Sequence, residues 1–89
     1  MRLSFPNPSR CFDVSSSRVC FWGYDQTIEI SFFVGMEALK RLSPDMSDAE
    51  SGFLQAFDAT RNRIHEVADK VYVRGGKASC SYILVAENF

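Results

Sequence analysis

The sequence predicts a two-layer α+β domain, with a short and a long helix covering one face of a small antiparallel sheet. Three observations predict it. Phe53, Leu54, Phe57, Ile64, Ala68 and Val71 recur at helical spacing with Arg61 interrupting them, so they form one apolar stripe that must be buried. Ile28, Ile30 and Phe32 alternate with Thr27, Glu29 and Ser31, the period of a strand with one buried face. The third is length: 89 residues make one domain with one core and no room for a second.

Taken in order, Pro6 and Pro8 keep the first ten residues extended, packed through Leu3 and Phe5. Cys11, Phe12, Asp13 and Val14 suit a short edge strand, and Ser15, Ser16 and Ser17 the turn after it. Val19, Cys20, Phe21 and Trp22 read as a strand. Gly23, Tyr24, Asp25 and Gln26 read as a turn into a second strand over 27–34, giving a hairpin. Gly35 breaks that strand, and residues 36–42 form a short helix with Lys40 and Arg41 at the negative end of its dipole. Ser47, Asp48, Ala49 and Glu50 match a capping box that starts the long helix, while Gly52 weakens its first turn. The helix is expected to run to Val71 or Tyr72, and Gly75 and Gly76 end it. A last strand covers 78–86, apolar on both faces in its second half, which favours a central or covered position. The order is β-β-α-α-β, or β-β-α-α-β-β if Val71, Tyr72 and Val73 are extended instead of helical. There is no internal repeat.

Eight Phe, three Tyr and one Trp are a heavy aromatic load for this length. Most of these rings are needed to fill a thin core; any left outside would anchor a dimer or partner surface. Residues 1–43 carry five basic and four acidic groups and residues 44–89 five and seven, for a net charge of -1. Neither half has the basic excess of a nucleic-acid or membrane-surface module. No apolar run is long enough for a signal peptide or a membrane span, so the cytoplasm is the expected compartment.

Chemical motifs are sparse. The chain lacks a phosphate-binding glycine loop, a GxGxxG, an HExxH and a GxSxG pattern. Cys11, Cys20 and Cys80 are scattered and accompany a single histidine, so neither a metal site nor a cofactor is expected. Cys20 and Cys80 fit near-core strand positions, whereas Cys11, in a less ordered stretch beside Arg10, is the thiol most open to reaction. Gly75, Gly76 and Lys77 read as a turn far more readily than as an anion cradle. Asp45, Asp48 and Glu50 suit the positive end of a helix dipole better than they suit a cation.

No catalytic residue is assigned. Five residues remain as interface or ligand candidates. Arg61 lies in line with Phe57, Ile64 and Ala68, with Asp58 three residues before it. Its stem can cover apolar surface, or its charge can meet a partner. His65 has Asp69 one turn later, a pair that would need a nucleophile from the sheet to be catalytic. Trp22, next to Gly23 and Tyr24 on a hairpin whose outer face no helix is expected to cover, is either a core filler or an aromatic anchor. Tyr72 closes the helical stripe.

The segments Phe5-Pro6-Asn7-Pro8-Ser9-Arg10, Val19-Cys20-Phe21-Trp22-Gly23-Tyr24-Asp25, Ile28-Glu29-Ile30-Ser31-Phe32-Phe33-Val34 and Glu37-Ala38-Leu39 resemble the small bacterial proteins grouped as DUF1488. So do Ala56-Phe57, Arg61, Ile64, Ala68 and Tyr72 in the second half. The resemblance implies a compact α+β fold and a bacterial source, singles out Arg61 and Tyr72, and supplies no catalytic residues. On these grounds the chain is expected to be a non-enzymatic interaction or regulatory module. Its expected partner is a protein, with a second copy of itself as the leading case. The alternatives are a nucleic-acid-associated accessory protein using Arg61, Arg63, Lys70, Arg74 and Lys77, and a small enzyme built on His65.

Overall fold

The structure, a computed structural model, describes residues 2–6, 9–76 and 79–89. Its elements are β1 (Arg10–Asp13), β2 (Arg18–Asp25), β3 (Ile28–Gly35), α1 (Met36–Leu42), α2 (Glu50–Ala59), α3 (Arg61–Arg74) and β4 (Ser81–Leu84), followed by a 3-10 turn at Ala86–Asn88. The strands form a single sheet in the order β1-β2-β3-β4. The helices pack on one face, so the α+β two-layer class holds. β1–β2 and β2–β3 are antiparallel, but β3–β4 is parallel. The parallel pairing follows from the connection: a crossover through helices returns the chain to the level at which β3 began, so β4 enters in the same direction.

β2 supplies the frame. Val19, Phe21 and Gly23 are buried on the helix side, opposite Val34, Phe32 and Ile30 of β3. Tyr82 and Leu84 of β4 continue the same face beside Phe32 and Val34. Phe53, Phe57, Ile64, Ala68 and Tyr72 descend onto this surface from α2 and α3, each no more than 3% exposed. Phe21 lies 5.3 Å from Phe32 and 5.1 Å from Phe57 between ring centroids, which joins both layers through aromatic contacts.

Several expectations are corrected. The long helix is two helices, because Thr60 interrupts it. The Thr60 hydroxyl donates to the Ala56 carbonyl at 2.7 Å, and its amide divides between the Ala56 and Phe57 carbonyls at 3.2 Å each. Such back-bonding competes with the helical ladder and bends it. The capping box does not form: α2 begins at Glu50 with Ala49 as its cap and no side-chain cap bond. Ser47 instead folds over the first turn and occupies the space where a side chain on Gly52 would project. Gly52 therefore permits a close backbone approach.

The turn read at Gly23 and Tyr24 is strand, and the hairpin reverses at Gln26 and Thr27, with Gln26 in the left-handed region at φ 59°. Gly23 is glycine because the Phe5 ring lies over it: an added Cβ would sit 2.7 Å from Phe5 Cε1. Ser4 pairs with Tyr24 through two backbone hydrogen bonds, which hold this N-terminal strap against β2. Finally, β4 is an edge strand. Ile83 is 50% exposed, and Cys80 precedes the strand and is exposed instead of lying near the core. Residues 71–73 are helical, so the extra strand is not formed. Ala78, at the start of the expected last strand, lies outside the described residues.

Phe57 touches the sheet at the point where the helix bends, and it is fully buried. Phe57→Ala is expected to lower unfolding free energy by about 3–5 kcal/mol in urea titration. That is a large share of the ~5–15 kcal/mol available to a domain of this kind. A loss below about 1 kcal/mol would show that the ring is not part of a packed core.

Candidate functional site

The five candidates separate onto the two sides of the sheet. Alternation along β2 places Arg18, Cys20, Trp22 and Tyr24 on the face away from the helices. β3 adds Glu29, Ser31 and Phe33 opposite them, and β4 adds Ile83 beside Phe33. Trp22 faces Ser31 directly and Phe33 diagonally, within reach of a large ring. Val85, 45% exposed, follows at the end of β4. The result is an apolar band of Cys20, Trp22, Phe33, Ile83 and Val85 with no described element over it. Tyr24 ends the band by donating its hydroxyl to Glu29 Oε2 at 2.9 Å, a bond that raises the phenol's pKa. Phe33 was legible only by extending the alternation of 27–32 one step further.

Arg61, His65 and Tyr72 all belong to α3: Arg61 lies beside Asp58 and Phe57 of α2, His65 against the strap, and Tyr72 on the core side of the sheet. The Arg61 guanidinium lies 4.9 Å from the Phe57 ring centroid and donates to Asp58 Oδ1 at 2.7 Å, the partner expected from their spacing. Arg10 joins the same carboxylate from β1 with a two-pronged contact at 3.0 and 2.9 Å. That pair ties the edge strand to α2. No local signal marks it, because the two residues lie 48 positions apart. The Arg10 contacts, with Arg61 adding to them, hold the Asp58 carboxyl below its usual range. All three side chains are partly exposed, so the cluster contributes little stability and serves mainly to set the angle of β1.

Tyr72 is buried, and its hydroxyl donates to Asp25 Oδ2 at 2.8 Å, which pushes the phenol up to about 12. His65 stacks on Phe5 with ring centroids 3.9 Å apart and planes 5° apart. Phe21 and Phe57 flank it at 5.7 and 6.5 Å. Asp69 Oδ1 accepts the Leu3 amide at 2.8 Å and so caps the strap. The geometry thus assigns Asp69 and His65 to holding the N-terminal segment in place.

A separate open cleft of about 380 Å³ lies where the β1–β2 turn, the start of α1 and the end of β4 meet, lined by Ser16, Arg18, Met36, Glu37 and Val85 among others. None of the five candidates lines it. The described residues contain no group of three or more potential metal ligands, and none of their helices is long and apolar enough to cross a membrane. Lys77, which completes the glycine-turn anion reading, lies outside the described residues.

Burial among the rings, with Arg61 adding like charge, lowers the His65 pKa from 6.5 to about 4. The folded state therefore holds the neutral imidazole, and the unfolded chain takes up the proton first. The stabilisation is complete above about pH 6.5 and is lost as pH falls toward 4. Since the ring is only half-buried, the loss is expected to be about 1–2 kcal/mol, less than the full shift would give. Urea midpoints measured between pH 7 and 4.5 should fall more steeply for the wild type than for His65→Leu. Parallel curves would show that the ring is already solvated.

The fold has a solved counterpart. A protein of unknown function from the DUF1488 family of Shewanella loihica PV-4 is similar to this chain at a TM-score of 0.78 and 20% identity, over 93% of this chain and 91% of that one. At that identity the likeness shows the fold alone. No curated protein matches the chain. The family model for DUF1488, described as a protein of unknown function, matches residues 3–85, from the strap to the end of β4. The chain therefore belongs to the DUF1488 family.

Proposed function

We propose that this protein is a non-enzymatic interaction module that associates with a second copy of itself through the uncovered sheet face, with Trp22 as the anchor. The observation that carries this reading is the composition of that face. A strand alternation with one solvated side places polar residues outward, yet here Cys20, Trp22, Phe33 and Ile83 stand together. A contiguous apolar band on a small domain marks a contact surface.

Area supports a modest dimer. Strand spacing and rise give the face about 400 Å² in projection. The accessible area of corrugated side chains is larger, so stacking two copies reaches about 1,000 Å² in total, the lower bound for a specific interface. The ends also suit a two-fold arrangement with reversed strand directions, since Arg18 at one end of β2 would meet Glu29 of the partner copy at the other. The five cations of the nucleic-acid reading gain no comparable support. Arg61 is engaged by Asp58 and Phe57, and Glu66 and Asp69 interrupt the remainder.

Sedimentation velocity over a concentration series tests the reading. Wild-type protein is expected to show a concentration-dependent dimer, and Trp22→Ala to weaken it by about 30-fold or more, as loss of a central aromatic anchor does. Far-UV circular dichroism should be unchanged, because Trp22 faces away from the core. A wild type that stays monomeric at high concentration overturns the proposal.

A further inference from the structure

Cys11 and Cys20 are not scattered in the fold. They are directly opposed in the β1–β2 register and project from the same uncovered face. Opposed residues of an antiparallel pair have Cα atoms about 4.5 or 5.5 Å apart, and both spacings lie within the range that a disulfide spans. The two thiols are near enough for Cys11 to raise the Cys20 pKa, and both are free. Their exposures differ: Cys11 is open to solvent, while Cys20 is 8% exposed.

We infer that Cys11 and Cys20 are a redox-active dithiol that hydrogen peroxide closes into a cross-strand disulfide. The Cys11 sulfur, as thiolate, attacks one peroxide oxygen. The O–O bond breaks, hydroxide leaves and takes up a proton as water, and Cys11 becomes a sulfenic acid. The Cys20 sulfur then attacks the Cys11 sulfur. The S–S bond forms, the S–O bond breaks, and the departing oxygen leaves as water with the Cys20 proton. Two thiols are oxidised by two electrons and one peroxide is reduced to two waters. The order of attack follows from access, since a peroxide reaches Cys11 and Cys20 lies behind it. Burial, with smaller contributions from Cys11, Asp13 and Glu29, pushes the Cys20 thiol up to about 11, which suits a resolving partner better than an attacking one. The same acidic surroundings favour a small neutral oxidant over an anionic disulfide.

Cys80 provides an internal control. Its carbonyl accepts the Ser31 amide at 2.8 Å, which places it on the β3–β4 side of the sheet, with β2 between it and β1. The inference does not depend on self-association, because both thiols come from one chain.

The test treats the reduced, full-length protein with hydrogen peroxide, alkylates it under denaturing conditions and maps tryptic peptides by mass spectrometry. Alkylatable thiols are expected to fall from three to one. Peptides 11–18 and 19–40 should be joined with loss of two hydrogens, and dithiothreitol should restore both. Cys20→Ser should leave Cys11 as a sulfenic acid that dimedone captures, and Cys80→Ser should still form the link. Three intact thiols, a bridge to Cys80, a Cys11–Cys11 link between chains, or over-oxidation of Cys11 without a bridge in the wild type would each overturn the inference.

Discussion

The contact between Phe21 of β2, Phe32 of β3 and Phe57 of α2 is the constraint on which the remaining packing depends. Two of these rings come from neighbouring strands and the third from the helix layer, so their contact fixes the separation and tilt of the layers together. Phe57 is three residues before Thr60, where the helix bends. The bend lets α2 and α3 each present apolar residues to a twisted sheet that one straight helix over the same span would follow poorly. Phe5 and His65 extend the same ring system toward the N-terminal strap. Gly23 leaves the space that Phe5 occupies, so a residue that looks like a turn former is a packing device.

Size then decides what the sheet can hide. Three helices cover one side of the four strands, and the described residues supply no further helix or strand for the other. The N-terminal segment is used on the core side, where Leu3 and Phe5 pack and Asp69 accepts the Leu3 amide. The outer side is thus left with whatever the strand alternation places there. In β2 that alternation gives Cys20, Trp22 and Tyr24, and a one-residue slip would exchange them with Val19, Phe21 and Gly23. Register is therefore fixed strongly by the core face, and the outer face follows from it.

Much of this was legible in the sequence, for identifiable reasons. α1 was readable from Gly35 through Leu42, and the core rings of the helix stripe from their spacing, because both are local periodicities. The hairpin was readable, but its turn was placed three residues early: Gly23 and Tyr24 carry a turn composition, and only the tertiary contact with Phe5 explains glycine there. The break at Thr60 was not legible, since Thr is compatible with a helix until its hydroxyl bonds back to Ala56. The parallel entry of β4 depends on where the helices deliver the chain, which no local pattern encodes. At the candidate site, the sequence left the hairpin's outer face without a covering helix, but it placed Tyr24 in the turn and left Trp22 open between core filler and anchor. The Arg10–Asp58 and Tyr72–Asp25 contacts were not legible, because each joins residues more than forty positions apart.

The same geometry links the two chemical features of the outer face. Cys20 is opposed to Cys11 on one side and to Phe33 on the other, so the thiol pair adjoins the apolar band. A disulfide there would shorten the side-chain separation across β1 and β2 and remove the exposed thiol of Cys11 from the surface. β1 is held by its antiparallel pairing with β2, by Phe12 packed edge-on to Phe53 at 4.9 Å between ring centroids, and by the partly exposed Arg10–Asp58 ion pair. The face therefore combines an apolar band, set by the core register, with a thiol pair at the β1 edge. Any change in the thiol pair would reach a partner on that face before it reached the core.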